Sequence, residues 1–271
     1  MAPLTTPHDG VSARGLSIQN LSQRFEVDGG TFTALNDISL DVEPGEFVCI
    51  VGPSGCGKST LLMAMAGLVP PSSGTVEFDG QPVTGPSSDR GVVFQEGGVL
   101  PWRSVRRNVT YGLEMQRRGS KADREQRASE LLDMVGLTEF ANRLPKELSG
   151  GMRQRLAIAQ TLACDPGLLL MDEPFGALDA FTREAMQLSL LDIWERNRAT
   201  VCFVTHGVDE AVILADRIII MAAGPGRIVR DLRVPLERPR TAAVRGSEAF
   251  QQTRQLVWDT INEYSQAGSD V

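Results

Sequence analysis

The chain has 271 residues, of which 42% are hydrophobic and 23% charged, a composition that excludes both a disordered and a membrane-embedded protein. No apolar run comes near the roughly 20 residues that cross a bilayer, and the formal net charge of −7 disfavours a general electrostatic grip on nucleic acid or anionic lipid. The four cysteines show no paired metal spacing, and residues 1–14 lack the basic-then-apolar order of a secretory signal, so they read as a disordered tail on a cytosolic protein.

Residues 16–21 and 38–42 alternate as half-buried strands joined through a Gly29-Gly30 turn. The apolar run 47–51 reads as a buried strand, and 60–66 as the first turns of a helix. Between them lies Gly52-Pro53-Ser54-Gly55-Cys56-Gly57-Lys58-Ser59, the pattern G-x-x-x-x-G-K-[ST] in its strand–turn–helix setting. Glycines let such a loop curl until its N–H groups face phosphate oxygens, and the helix N-terminus adds partial positive charge. Lys58 is expected to reach the terminal phosphates and the Ser59 hydroxyl to ligate Mg²⁺, and Cys56 sits beside Lys58, where thiol modification is expected to block nucleotide.

Residues 75–78, the Asp79-Gly80 turn and residues 81–83 extend a small antiparallel layer. Residues 91–94 read as another buried strand ending at Gln95. From 96 to about 145 the chain turns helix-rich and charged, with a helix over 121–135 followed by Gly136 as C-cap. Its arginine and glutamate runs read as a solvated face.

Ser149-Gly150-Gly151-Met152 opens a helix over 149–163, with Ser149 as N-cap and two glycines leaving the first N–H groups accessible. Taken alone, Ser-Gly-Gly is also an ordinary linker. The apolar strand 168–171 closes on Asp172 and Glu173, carboxylates costly to desolvate unless they serve a cation. Asp172 would hold Mg²⁺ through Ser59 or a water, and Glu173 would orient and deprotonate an attacking water; an acidic helix cap is the alternative. Helix 182–197, strand 201–205, helix 209–215 and strand 217–221 follow, an alternation that implies a parallel sheet covered on both faces. After Gly224-Pro225-Gly226, a Pro/Arg-rich connector leads to a last helix near 247–264 with Phe250, Val257, Ile261 and Tyr264 on one face.

Taken together, these motifs resemble the nucleotide-binding subunits of ATP-binding cassette (ABC) transporters over about residues 16–230. The resemblance implies an α/β P-loop NTPase core with a parallel sheet, a small antiparallel β layer and a helical subdomain. It implies a nucleotide-binding domain over 15–235, the helical subdomain inserted at about 96–165, and a short helical extension over 236–271. Gly52 to Ser59, with Thr60, matches the Walker A loop, and residues 168–173 the Walker B strand. Gln95 matches the Q-loop glutamine, which in the family touches Mg²⁺ and the transport partner. Ser149 to Met152 matches the signature that contacts nucleotide on the other subunit, Asp179 the D-loop, and His206 the switch histidine. The aromatic residue that stacks on adenine in the family is best matched by Phe25, with Phe32 as the fallback.

The same resemblance implies a head-to-tail homodimer enclosing two ATP molecules with Mg²⁺ and docked on integral membrane permease subunits. It places the chain on the cytoplasmic face of the inner membrane, with a periplasmic or extracellular solute-binding protein in the same complex and no nucleic-acid partner. Two departures stand out: Met152 replaces a common glutamine and Gly207 a common aspartate, leaving Asp209 as cap for the next helix. The wording 100–103, 174–183 and 224–227 is similar to the nitrate, sulfonate and taurine importer branch. The alternatives are another transporter branch or a soluble, non-transport ABC ATPase.

Overall fold

The computed structural model describes residues 15–95 and 98–266, so the expected tail 1–14 lies outside the described residues. Two sheets carry the fold. A six-stranded sheet runs in the order β10 (Arg227–Arg233), β9 (Arg217–Ala222), β3 (Phe47–Val51), β8 (Thr200–Val204), β7 (Leu168–Asp172), β6 (Arg90–Val93). A four-stranded antiparallel sheet has the order β2 (Gly30–Val42), β1 (Leu16–Val27), β4 (Ser73–Phe78), β5 (Gln81–Pro82). The P-loop α/β architecture with its antiparallel layer is as expected. The larger sheet is parallel from β9 through β6, as expected, and β10 adds an antiparallel edge beside β9.

Strand β3 shows why the sheet needs cover on both faces. All five of its residues are buried, and successive side chains point to opposite faces. Phe47, Cys49 and Val51 join a core with the helices on one face, while Val48 and Ile50 join one with α1 (Lys58–Ala66) and the antiparallel layer. The first core also includes residues of α2 (Val105–Met115), α3 (Lys121–Met134), α4 (Gly150–Leu162), α5 (Ala180–Asn197) and α6 (Val208–Leu214). The C-terminal helix α7 (Glu248–Gln266) buries Phe250 and Val257 in that core, with Ile261 packed beside them.

The β1–β2 hairpin is longer than the sequence pattern indicated. Register shifts between Ile18 and Leu21, Leu21 and Gln23, and Gln23 and Arg24 switch the facing of successive side chains, which breaks the alternation where the strand continues. Its turn is Asp28-Gly29, since Val27 pairs with Gly30; Gly30 begins β2 rather than sitting in the turn. Both Asp79 and Gly80 have positive φ (56° and 69°), which suits the tight β4–β5 hairpin.

Helix α3 ends in a Schellman motif. Leu137 N–H donates to Leu132 O (2.7 Å) and Gly136 N–H to Asp133 O (3.0 Å), with Gly136 at φ 64° just beyond the cap residue Val135. Helix α5 begins at Ala180, two residues earlier than expected, because Asp179 caps it. Helix α6 likewise begins at Val208, which leaves Asp209 in the first turn instead of at the cap.

Topology sets the site. The central β3 lies between β9 and β8, and β7 and β6 follow on the β8 side. The carboxyl ends of β3, β8, β7 and β6 therefore deliver, side by side, the phosphate-loop pattern, His206, the Asp172-Glu173 pair and Gln95. In open parallel sheets, ligands bind beyond these ends.

Candidate nucleotide site

Residues 52–57 connect β3 to α1, and the helix starts without a side-chain cap. Gly57 serves as N-cap at φ 89°, a conformation that disfavours a Cβ; one there would also press on Leu35 and the Ala34 carbonyl. Lys58 is buried, and its Nζ donates to Gly52 O and Pro53 O, both at 2.9 Å, so the ammonium ties the loop to itself. Gly226 packs behind the loop: its N–H donates to Ala34 O (3.0 Å), and a Cβ on it would collide with the Cys56 carbonyl. The thiol expected as a modification point faces inward. Cys56 is fully buried with Sγ 3.7 Å from Lys58 Nζ, and burial raises its pKa more than the neighbouring ammonium lowers it.

Asp172 is the last residue of β7, 7% exposed, and accepts a hydrogen bond from the Ser59 side chain. Burial pushes its carboxyl up, the Ser59 bond opposes that, and the Glu173 charge adds to it. Its Oδ1 is buried without a hydrogen-bond partner. A desolvated carboxylate oxygen beside a serine hydroxyl is a donor set that fits a hard divalent cation. Among the described residues, no group of three His, Cys, Asp or Glu side chains could hold a metal by itself. A cation here would therefore complete its shell with phosphate oxygens or water.

Glu173 follows in a left-handed conformation, φ 44°, with its N–H donating to Val204 O (2.9 Å). Two residues that the motif reading put in one site converge on a single oxygen of it. Gln95 Nε2 donates to Glu173 Oε2 at 3.2 Å, and His206 Nδ1 lies 3.1 Å from that same oxygen. Seventy-eight residues separate Gln95 from Glu173 in sequence, and only the β6–β7–β8 order brings them together.

The cavity in front of these groups measures about 590 Å³. Ser54, Gly55, Gly57, Lys58, Ser59 and Thr60 line it, while Gly52, Pro53 and Cys56 are not among its lining residues. Gln95, Glu173 and His206 close one side. Phe25 and Phe32 both line the other, as a cross-strand pair, so the structure does not separate the aromatic candidates. Ala34 also lines it, an apolar strand residue that carried no sequence signal.

Ser149 to Met152 lie elsewhere and are not among the residues lining this cavity. Ser149 caps α4, accepting from Met152 N–H at 3.2 Å, and both Ser149 and Gly150 are exposed. The Met152 side chain packs against the main core. The carboxylate of Asp179 accepts from Thr182 N–H (3.0 Å), which holds it below the usual carboxylate range. Gly207, the cap position of α6, offers no side chain, and its N–H donates to Thr205 Oγ1 at 2.9 Å. Asp209 faces Arg254 at 3.5 Å. Sequence reasoning missed Arg183, whose guanidinium donates to Phe175 O (3.3 Å) and Leu178 O (2.7 Å) and so fastens the turn between Glu173 and Asp179. Nothing in its sequence context distinguishes it from an exposed helix arginine.

A glycine-rich loop between a buried central strand and a helix, facing a carboxylate pair on a neighbouring strand end, defines a P-loop nucleoside triphosphatase. Residues 35–176 match the ABC transporter family. The chain is 51% identical over 246 residues to a putative ATP-binding protein of Brucella abortus, covering 91% of this chain and 93% of that one. It is 51% identical over 221 residues to the nitrate import ATP-binding protein NrtD of Synechocystis, covering 82% and 83% of the two chains. A dimeric ATP-binding cassette solved in a post-hydrolysis state with ADP and Pi superimposes with a TM-score of 0.75 at 34% identity, over 82% of this chain and all of that one. The chain belongs to the ABC transporter family, as an ATP-binding subunit that couples ATP hydrolysis to transport.

Proposed function

We propose that this subunit energises import of a small anionic or zwitterionic solute, of the taurine, aliphatic sulfonate or nitrate class, through a separate membrane permease. The import direction and solute class rest on the printed functions of similar proteins: NrtD of Synechocystis and the taurine import ATP-binding protein TauB of Jannaschia, 44% identical over 259 residues. Among the described residues, no helix is long and apolar enough to cross a membrane, so the transported solute would need a path supplied by partner subunits. In this reading the chain works as a homodimer on the inner face of the membrane, beside permease subunits and, through them, a solute-binding protein.

The observation that carries the mechanism is the convergence of Gln95 and His206 on Glu173 Oε2, in the cavity that Lys58 and Ser59 line. Loop N–H groups and the start of α1 hold the phosphates, and one of Phe25 and Phe32 stacks on the base. Ser59, Asp172 and Gln95 would hold Mg²⁺, which would supply positive charge at the phosphate oxygens. Glu173 aligns a water in line with the γ-phosphorus and accepts its proton as the new P–O bond forms. The bond to the bridging oxygen breaks and ADP leaves. Lys58 and His206 offset charge on the γ-phosphoryl oxygens, and the exposed N-terminus of α4 in a second copy, Ser149 to Met152, covers the same nucleotide.

The test is solute uptake in cells from which this subunit has been deleted. Taurine, an aliphatic sulfonate and nitrate are supplied in turn, with the deletion complemented by wild type or by Glu173→Gln. Loss of uptake for one of the three, restored by wild type alone, is the expected result. Unchanged uptake of all three would rule out the solute class.

A further inference from the structure

Glu173 and His206 form a wall between two cavities. Behind them lies a second one of about 360 Å³, lined on its far side by Arg183, Gln187, Glu210 and Arg245. Glu210 is 8% exposed, and the hydrolysis scheme makes no use of it. Its Oε1 accepts from Gln187 Nε2 at 2.9 Å, and its Oε2 is hydrogen-bonded to Thr205 Oγ1. Thr205 Oγ1 in turn accepts from Gly207 N–H at 2.9 Å, so the bonds on this one hydroxyl bracket His206. On the other side, Arg245 Nη2 donates to Gln187 Oε1 at 2.7 Å, and Arg245 Nε lies 3.6 Å from Glu184 as an ion pair. The run is unbroken from Arg245, just ahead of α7, through α5 and α6 to the turn that carries His206.

We propose that Arg245, acting through Gln187 and Glu210, is a positioning residue that lets the C-terminal segment set the placement of His206 against Glu173. A glycine at 207 gives the turn no side chain of its own to fix it, and α6 begins there without a side-chain cap. The turn depends on Thr205, and Thr205 depends on a carboxylate that burial destabilises in its charged form unless donors face it. Gln187 is one such donor, and Arg245, donating to the amide oxygen, holds its N–H₂ toward Glu210. Arg254, from α7 itself, pairs with Asp209 one residue beyond the start of α6 and holds the same helix from outside. Arg245 touches none of the reacting groups. Its effect belongs in the turnover rate, since misplacing a positioned group slows the chemistry without weakening the grip on phosphate.

The inference rests on the proposed part of His206 in hydrolysis, and the experiment separates the two. Steady-state ATPase activity of the full chain is measured for wild type, Arg245→Met, Arg245→Lys, His206→Ala and the double variant, with melting temperature and KM for ATP alongside. Arg245→Met is expected to lower kcat about ten-fold with KM and Tm nearly unchanged. Arg245→Lys, which keeps a donor for Gln187, is expected to recover most of the rate. In the His206→Ala background, Arg245→Met is expected to cost nothing further, because the two act in series. An equal loss in both backgrounds, or wild-type kcat for Arg245→Met while His206→Ala is impaired, overturns the inference. Wild-type turnover by His206→Ala overturns the catalytic reading and takes the inference with it. Should Arg245→Met lower Tm, the same cycle is run with Gln187→Met, which cuts the chain one bond further in.

Discussion

Glu173 occupies φ 44°, a region that costs a side chain with a Cβ roughly 1–3 kcal/mol. The surrounding bonds keep it there: its N–H on Val204 O, its carbonyl accepting from Gly176 N–H at 3.1 Å, and its Oε2 between Gln95 and His206. Lys58 shows a comparable economy, since the ammonium expected at the phosphates also closes the loop on Gly52 O and Pro53 O. Lys58→Ala should therefore lose both charge and loop shape. We expect ATP affinity at least ten-fold weaker by titration calorimetry, roughly 1.4 kcal/mol or more, and unchanged affinity would count against the loop as the phosphate site. The cysteines make a second residue-scale test. Cys49, Cys56 and Cys202 are fully buried, with the Cys202 thiol pushed up to about 12, whereas Cys164 is partly exposed. A thiol reagent on the native protein should label Cys164 first and reach the other three only on unfolding. Rapid labelling of Cys56 in the native protein would instead support the modification point that the sequence suggested.

At the scale of elements, the segment after β6 is held by side chains from two helices. Gln154 Nε2 of α4 donates to Phe94 O (3.0 Å) and Gln160 Nε2 to Gly98 O (3.1 Å), on either side of the Gln95 region. From α2, Asn108 is fully buried; its Oδ1 accepts from Leu100 N–H at 2.6 Å, and its Nδ2 donates to the carbonyls of Leu100, Arg103 and Ser104 at 2.9–3.1 Å. One side chain thus reaches four backbone groups of a loop. Asn108→Ala would leave Leu100 N–H and the Arg103 carbonyl unpaired under α2, while the Leu100 and Ser104 carbonyls keep the N–H groups of Arg103 and Asn108, and we expect a loss of about 3 kcal/mol, read as a lower melting temperature. A variant that melts like wild type would show that water replaces the amide freely. The composition of this stretch signalled helices and charge, yet it gave no hint that a buried asparagine organises the loop. Single-residue polar anchors have no periodicity to detect.

For the whole molecule, the two helix starts that the motifs marked as anion sites are separate. The start of α1 opens into the 590 Å³ cavity, and the start of α4, with exposed Ser149 and Gly150, lines none of it. A second copy brings the two together in the proposed dimer, in keeping with the dimeric cassette to which the chain is similar. Glu173→Gln keeps the side-chain size but removes the proton acceptor, so ATP should bind and not turn over. We expect hydrolysis lower by at least about 100-fold and an ATP-dependent dimer by size-exclusion chromatography with light scattering. A monomer at saturating Mg²⁺ and ATP would argue against the shared site.

Much of this was legible in the chain itself. The phosphate loop, the acidic end of β7 and the Ser149 cap are local: each needs a few adjacent residues, and turn chemistry and burial of a short apolar run place them without tertiary information. Gln95, Asp179 and His206 became visible only through family resemblance, because a lone glutamine, aspartate or histidine has no physical pattern of its own. The tertiary structure alone decided the rest. Three register shifts lengthened the first hairpin, β10 reversed the edge of the sheet, Cys56 turned inward, and Arg183 and Arg245 reached the back of the site. These features rest on contacts between residues far apart in sequence, and such contacts exist only once strand order and helix packing are fixed.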